Sequence, residues 1–351
     1  MPNNLQKKPP LWLLLLVVAY LMILTALTIM NHLGADRWWF GALNLYLPQA
    51  VWAAPGIFIS FFFLVFARKW VWIPLLCVFW VFGPVMGFCW PVHAARESAG
   101  GSVPLRVMTW NVKYGSQDKF SVLEIIHEID LNNPAIIFLQ DAGGVLNGPL
   151  GDYFKTWHVR SFGQYIVASK HPLGEMQVRY ISFMNEQHTC IRTQVELGGE
   201  SVALYNVHFA TPRFGLNAMR EVKRKPWYLP DAIRQLENSV NARHIQVRAL
   251  QEYVIQEKMP VIVAGDLNSP DDSLVCRTLR VTGLHDAFAE GGKGYGYTYG
   301  HSLLHKRIPT FNVSWMRIDH IMMSKQFQAR SCRVGTGSAS AHRPVVADLV
   351  I

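Results

Sequence analysis

Charge is scarce in this sequence. Of its 351 residues only 16% are Asp, Glu, Lys or Arg, 50% are hydrophobic, and mean hydropathy is +0.14. That is too apolar for an ordinary soluble domain throughout, so a membrane part is expected. Cysteine is also sparse. Five are present, and Cys77 and Cys89 fall in an apolar run. Cys190, Cys276 and Cys332 are an odd set that could form one disulfide at most, and no Cys-x-x-Cys or Cys/His spacing suggests zinc. They read as small buried hydrophobes. No internal repeat is apparent, so a repeat array is not expected.

The apolar excess sits at the front. Three runs, at about 11–30, 48–67 and 70–91, are each long enough for a transmembrane helix, which takes about 20 residues. Trp38, Trp39, Trp70 and Trp72 fall near the expected span ends, where aromatic belts form. Lys7 and Lys8 precede the first run, and Arg68 and Lys69 separate the second from the third. The loop after the first run balances Arg37 with Asp36. Positive-inside then puts the N-terminus and the Arg68-Lys69 turn in the cytoplasm and everything after the third span outside it. The expected plan is a membrane domain over 1–93, a small polar linker over 94–104 and one large domain over 105–351, in a multi-pass cell-membrane protein with its large domain extracytoplasmic or periplasmic.

The stretch Val261–Pro270, VIVAGDLNSP, organises the large domain. Three apolar residues make a buried strand, and Gly265 is expected to let the chain turn sharply at its end. Asp266 and Asn268, two apart on an extended backbone, would share a face. Elsewhere LRVMTWNV ends in Asn111, a buried run at 135–139 leads into Gln140 and Asp141, and a strand after the Gly198-Gly199 turn ends in His208. Helices are expected near 120–130, 236–256 and 273–281, and short strands at 297–299, 316–324 and 345–350. Strands and helices do not alternate strictly, so a sandwich of two sheets with helices outside fits better than a doubly wound sheet.

Polar residues thus recur at strand ends: Asn111, Asp141, His208, Asp266, Asn268, Asp319, His320 and His342. Each alone has an ordinary reading. Asn111 and Asn268 suit turns, Asp141 suits a helix cap, and His208 suits a core histidine. Together, several oxygen acceptors and histidines at strand ends suit metal-assisted attack on a phosphate.

TWNV, FLQD, YNVHF, AGDLN, RIDHI and SAHRPV, with ASKHPL between the second and third, occur in an order that resembles the endonuclease/exonuclease/phosphatase superfamily. The resemblance covers about 105–351. It implies a four-layer α/β/β/α sandwich of DNase I-like type, class α/β (α+β), and a divalent-metal phosphoesterase. It implies Mg²⁺, with Mn²⁺ as an alternative, held at Asn111 and Asp141. It implies that His208 stabilises transition-state charge, that Asn111, Asn268 and His208 hold the phosphate, and that Asp266 positions the attacking water. Asp319 would orient His342. Either His342 or Asp266 could take the water's proton.

Two positions depart from the superfamily's pattern. Asp141 stands where Glu is usual, and Ala341 where an Asp usually precedes the final His. Weaker metal binding, or dependence on one ion, is expected. The region after His208 carries a basic stretch, KRKPWYLP at 223–230, which would suit an anionic membrane surface or a nucleic-acid backbone. The expected partners are therefore a phosphate ester, either a phospholipid head group or nucleic acid, and the lipid bilayer. No feature calls for an obligate protein partner. Three functions follow: a membrane-anchored phosphoesterase, a catalytically weakened phosphate-binding module, or an extracytoplasmic nuclease.

Overall fold

The computed structural model describes residues 8–91, 104–113, 119–182, 187–301, 313–336 and 339–351. The chain divides into two compact units, Met1–Phe88 and Cys89–Ile351. Most of the expected linker at 94–104 lies outside the described residues.

The first unit holds three helices long and apolar enough to cross a membrane: Leu11–Leu33, Gln49–Phe66 and Arg68–Val85. The first is α1 (Leu11–Leu33). A short α2 (Trp39–Tyr46), which the sequence does not announce, follows it. The second contains α3 (Ala53–Phe66), and the third contains α4 (Trp72–Trp80) continued by a π-turn over Val81–Val85. The apolar pattern predicts that the third runs to Pro91. It stops earlier because Pro84 lacks the amide proton that a helix needs, and Gly87 takes φ +67°. Leu13, Val17, Tyr20 and Leu24 pack with Ile59, Phe63, Cys77 and Val81. Gly56 admits this packing, since a Cβ there would lie 2.8 Å from the Tyr20 ring.

The second unit is two six-stranded sheets with helices outside. It runs β1 (Pro104–Asn111), α5 (Lys119–Asn132), β2 (Ile136–Gln140), α6 (Pro149–Tyr153), β3 (His158–Phe162), β4 (Tyr165–Ser169), β5 (Gln177–Tyr180), β6 (Thr189–Leu197) and β7 (Glu200–His208). Then come α7 (Arg213–Glu221), α8 (Leu229–Gln256), β8 (Val261–Asp266), α9 (Leu274–Val281), β9 (Leu284–Asp286) and α10 (Ala287–Gly291). β10 (Asp319–Ser324), β11 (Gln328–Val334) and β12 (Val345–Val350) close the chain. One sheet has the order β11-β12-β1-β2-β4-β3, the other β5-β6-β7-β8-β10-β9.

The central strands are covered on both faces, which is why they read as unbroken apolar runs. In β2, Ile136 and Phe138 face the other sheet, while Ile137 and Leu139 join Ile125 and Ile129 of α5. In β8, Ile262 and Ala264 face inward, while Val261 and Val263 pack with Val247 and Leu250 of α8. Burying each such side chain stabilises the fold by about 1.5–3 kcal/mol. The four-layer sandwich follows from these three apolar seams.

One hairpin matches the sequence expectation, and two features differ from it. Gly198 and Gly199 make the two-residue hairpin as expected, with φ +60° and +91°. Gly265, however, makes no turn. It lies inside β8, where a Cβ would come within 1.9 Å of the Val207 carbonyl oxygen. It is glycine because β7 passes so close. The turn comes later, at Asn268, with φ +47°. The expected strand at 297–299 is only a pair of bridges, from Tyr299 to Met316 and to His342.

Topology explains the site's position. β1 and β2 run parallel, as do β7 and β8, while β10 and β12 run antiparallel to β8 and β1. The C-terminal ends of β1, β2, β7 and β8 therefore share an edge of the sandwich with the N-terminal ends of β10 and β12.

Candidate active site

Asp266 ends β8 and is almost wholly buried. In register it faces His208 of β7 on one side and Asp319 of β10 on the other. Its Oδ2 accepts a hydrogen bond of 2.9 Å from Nδ2 of Asn111, at the end of β1 in the opposite sheet. The same oxygen lies 3.5 Å from His208 Nε2 and 3.8 Å from His342 Nε2. Its other oxygen, Oδ1, accepts the Asn268 amide at 2.8 Å. That bond makes the turn, so Asn268 does not continue an extended strand; its side-chain amide donates to the Phe209 carbonyl at 2.9 Å.

His342 is buried and its Nδ1 lies 2.9 Å from Asp319 Oδ2. Burial opposes a charge on the ring, but the carboxylates of Asp319 and Asp266 overcome it and hold the pKa above the usual histidine value. The turn carrying His342 is fastened to β1. Trp110 Nε1 donates to the His342 carbonyl at 2.9 Å, and Ser340 Oγ donates to the Asn111 carbonyl at 2.7 Å. The Tyr299 ring lies 4.7 Å from the imidazole, centre to centre.

His208 behaves oppositely. Burial pulls its pKa down, against the attraction of Asp266 and Asp141. Its Nδ1 lies 2.7 Å from Gln164 Oε1, so that nitrogen carries the proton of the neutral ring. Asp141, just past β2, takes φ +50°, which is costly for a residue with a Cβ. Its Oδ1 lies 3.9 Å from His208 Nδ1, and its Oδ2 pairs with Lys113 Nζ at 3.1 Å. Burial would raise this carboxyl's pKa, but His208 and Lys113 draw it below the usual range.

All the sequence-derived residues thus form one connected set, except His320, which leaves it. Its Nδ1 lies 3.1 Å from Asp286 Oδ2 and its Nε2 3.1 Å from the Ser269 carbonyl. Lys113, Gln164 and Ser340 join the site without being singled out by the sequence, as does Tyr299, one of the alternating tyrosines at 295, 297 and 299 that read as strand packing or cleft rim. Of the first three, Lys113 alone has a local signal, standing two residues after Asn111. Beneath the site, Gln140 of one sheet donates to Asn206 of the other at 2.7 Å, a buried polar pin between the sheets.

Two groups among the described residues gather metal-ligating atoms within 4.8 Å: Asp266, Asp319 and His342, and Asp271, Cys276 and His320. The second is already neutralised, since Arg317 and Arg280 both bind Asp271. The active-site donors, Asp141, Asp266, Asp319 and the Asn111 amide oxygen, are hard oxygens suited to Mg²⁺ or Mn²⁺. Lys113 already balances one of these carboxylates.

Several solved structures share this fold. One is an endonuclease/exonuclease/phosphatase from Bacteroides vulgatus, 16% identical, with a TM-score of 0.55 over 70% of this chain and 98% of that one. A Bacteroides thetaiotaomicron member is 14% identical, with a TM-score of 0.53 over 72% and 99%. A humanized D. rerio TDP2 is 15% identical, with a TM-score of 0.52 over 70% and 98%. No curated protein matches the sequence. The family model described as Endonuclease/Exonuclease/phosphatase family matches residues 108–342, from β1 to the histidine beside Asp319, and the chain therefore belongs to that family.

Proposed function

We propose that this chain is a membrane-anchored, divalent-cation-dependent phosphoesterase whose site faces away from the cytoplasm. The observation that carries the reading is the convergence of Asn111, His208 and His342 on one oxygen of Asp266, with Asp319 behind His342. Such a set binds a phosphate and handles a proton within one pocket.

In this reading Asp319 fixes the His342 ring with Nδ1 protonated, leaving Nε2 to take a proton from water. Asp266, beside the same nitrogen, is the other acceptor. His208 and Asn268 hold the phosphoryl oxygens. A phosphate arriving at His208 Nε2 would bring the negative charge that favours a second proton on the ring, which its burial otherwise resists. Asp141 and Asn111 are the ligands assigned to Mg²⁺ or Mn²⁺, which would supply neutralisation of charge on the phosphate. The lysines and arginines flanking the three apolar helices support a cytoplasmic N-terminus.

The test is hydrolysis of bis-p-nitrophenyl phosphate by the purified chain with Mg²⁺, its loss in EDTA, and its loss in His342→Ala. No turnover with any divalent ion would overturn the reading. A reporter fused at Ile351 tests the side of the membrane. The Lys113–Asp141 pair favours a second reading, a phosphate-binding module with weakened catalysis. It predicts that inorganic phosphate binds while the ester survives.

A further inference from the structure

The geometry points to a docking surface for an anionic lipid bilayer on the hairpin of α7 and α8. This rests on the membrane-anchored reading above and is independent of the chemistry at Asp266. The inner face of α7 is Gly215 and Ala218, both buried. Gly215 lies so near α8 that a Cβ would come within 2.6 Å of Leu236 Cα. With small residues against α8, the large ones point out. Phe214 is 76% exposed and Trp227, beyond the helix, is 77% exposed. Arg213, Arg220, Lys223, Arg224 and Lys225 are exposed in the same segment, against two exposed acids, Glu221 and, in the first turn of α8, Asp231. Burying neither aromatic ring, the fold leaves two large apolar groups in water without an internal reason.

Aromatic side chains among cations, on a helix lying flat across a surface, are what an anionic membrane interface binds. The loop that carries Lys223, Arg224 and Lys225 is set off from the His208 end of β7, although Arg213 and Phe214 begin α7 at that end. Nine residues of α7 separate Pro212 from the cationic loop, roughly 13 Å of helix. A nucleic-acid track would be expected to lead its charges into the cleft, whereas three of the five, Lys223, Arg224 and Lys225, lie in the loop beyond α7. Chain connectivity favours a bilayer. Only Met86, Gly87 and Phe88 separate the helix end at Val85 from Cys89, which already pairs with Gly294 of the second unit.

The test uses the full chain in nanodiscs of phosphatidylcholine, alone or mixed with phosphatidylglycerol, and reads amide hydrogen exchange over residues 213–229. Slower exchange on the anionic discs is expected, by at least about fivefold, the effect of one cation near such a surface. Changing Lys223, Arg224 and Lys225 together to Gln should abolish the dependence on phosphatidylglycerol. Phe214→Ser with Trp227→Ser should remove the protection while leaving hydrolysis of bis-p-nitrophenyl phosphate unchanged. Equal exchange on both discs would overturn the proposal, as would protection by added DNA but not by phosphatidylglycerol. A chain that fails to enter discs at all would sink the membrane-anchored reading, and this surface with it.

Discussion

Asp319 and His342 meet across the two sheets, with 2.9 Å between carboxylate Oδ2 and imidazole Nδ1. The carboxylate begins β10 of one sheet and the imidazole sits in the turn entering β12 of the other. Asp319→Asn keeps the shape but removes the charge that orients the ring. Activity, as kcat/KM on bis-p-nitrophenyl phosphate, should fall roughly 10²–10⁴-fold, and adding His342→Ala should cost little more, because the two act as one unit. Independent, additive losses would show that the pair does not work together.

Lys113 competes with any cation for Asp141. Removing it as Lys113→Met should tighten divalent-ion binding by roughly tenfold, as expected for one nearby charge in a partly screened site. Titration calorimetry with Mg²⁺ and Mn²⁺ measures this directly. Weaker binding in the variant would mean that Lys113 supports the ion's site.

His320 links pH to stability. Burial disfavours its charge, but the Cys276 sulfur and the Asp286 carboxylate outweigh that and raise its pKa to about 10. Both ring nitrogens face oxygen acceptors, which needs both protonated, even with Arg317 Nη1 3.4 Å away. Its folded pKa lies above the unfolded value of about 6.5. The stability it contributes is therefore full below about pH 6.5 and is lost as pH rises towards 10. Urea denaturation from pH 6 to 10 should show a fall that is shallower in His320→Gln.

Arg317, itself buried, holds the buried Asp286 through Nη1 at 2.7 Å and the partly exposed Asp271, in the loop after β8, through Nη2 at 2.6 Å. Arg317→Met leaves the buried carboxylate of Asp286, and the partly exposed one of Asp271, without that partner and should destabilise the second unit by about 3–5 kcal/mol. The denaturation midpoint reports it; a change under about 1 kcal/mol would mean that Arg280 and His320 suffice.

Gly265→Ala should prevent β7 and β8 from pairing, because the added methyl would overlap the Val207 carbonyl. Loss of folded protein is expected, whereas Gly163→Ala, whose Cβ meets nothing within 4 Å, should cost only the strain of its φ of +56°.

The sandwich is readable in the sequence because strands such as β2 and β8 are apolar on both faces and end in polar residues. Site residues are readable for the same reason: Asn111, His208 and Asp266 each interrupt such a run. Edge strands β3 and β5 are not, since His158–Phe162 and Gln177–Tyr180 alternate only weakly and bury little. The start of α8 at Leu229, seven residues earlier than its apolar spacing suggests, follows from packing against α7. Gln164 is invisible as a site member because its partner lies 44 positions away and a lone polar residue carries no mark of a distant contact; Lys113, 28 positions from Asp141, is hinted at only by standing two residues after Asn111.

The 2.9 Å bond from Asn111 to Asp266 joins one sheet to the other, as do the Gln140–Asn206 bond and the Asp319–His342 pair. Reactivity is therefore a gauge of alignment. A slip of one layer against the other by the width of an atom would pull Asn111 and His342 away from Asp266 and Asp319 while leaving every ladder intact. A chain with only one sheet assembled would hold half of the set, so any hydrolysis it performs would wait on the meeting of both.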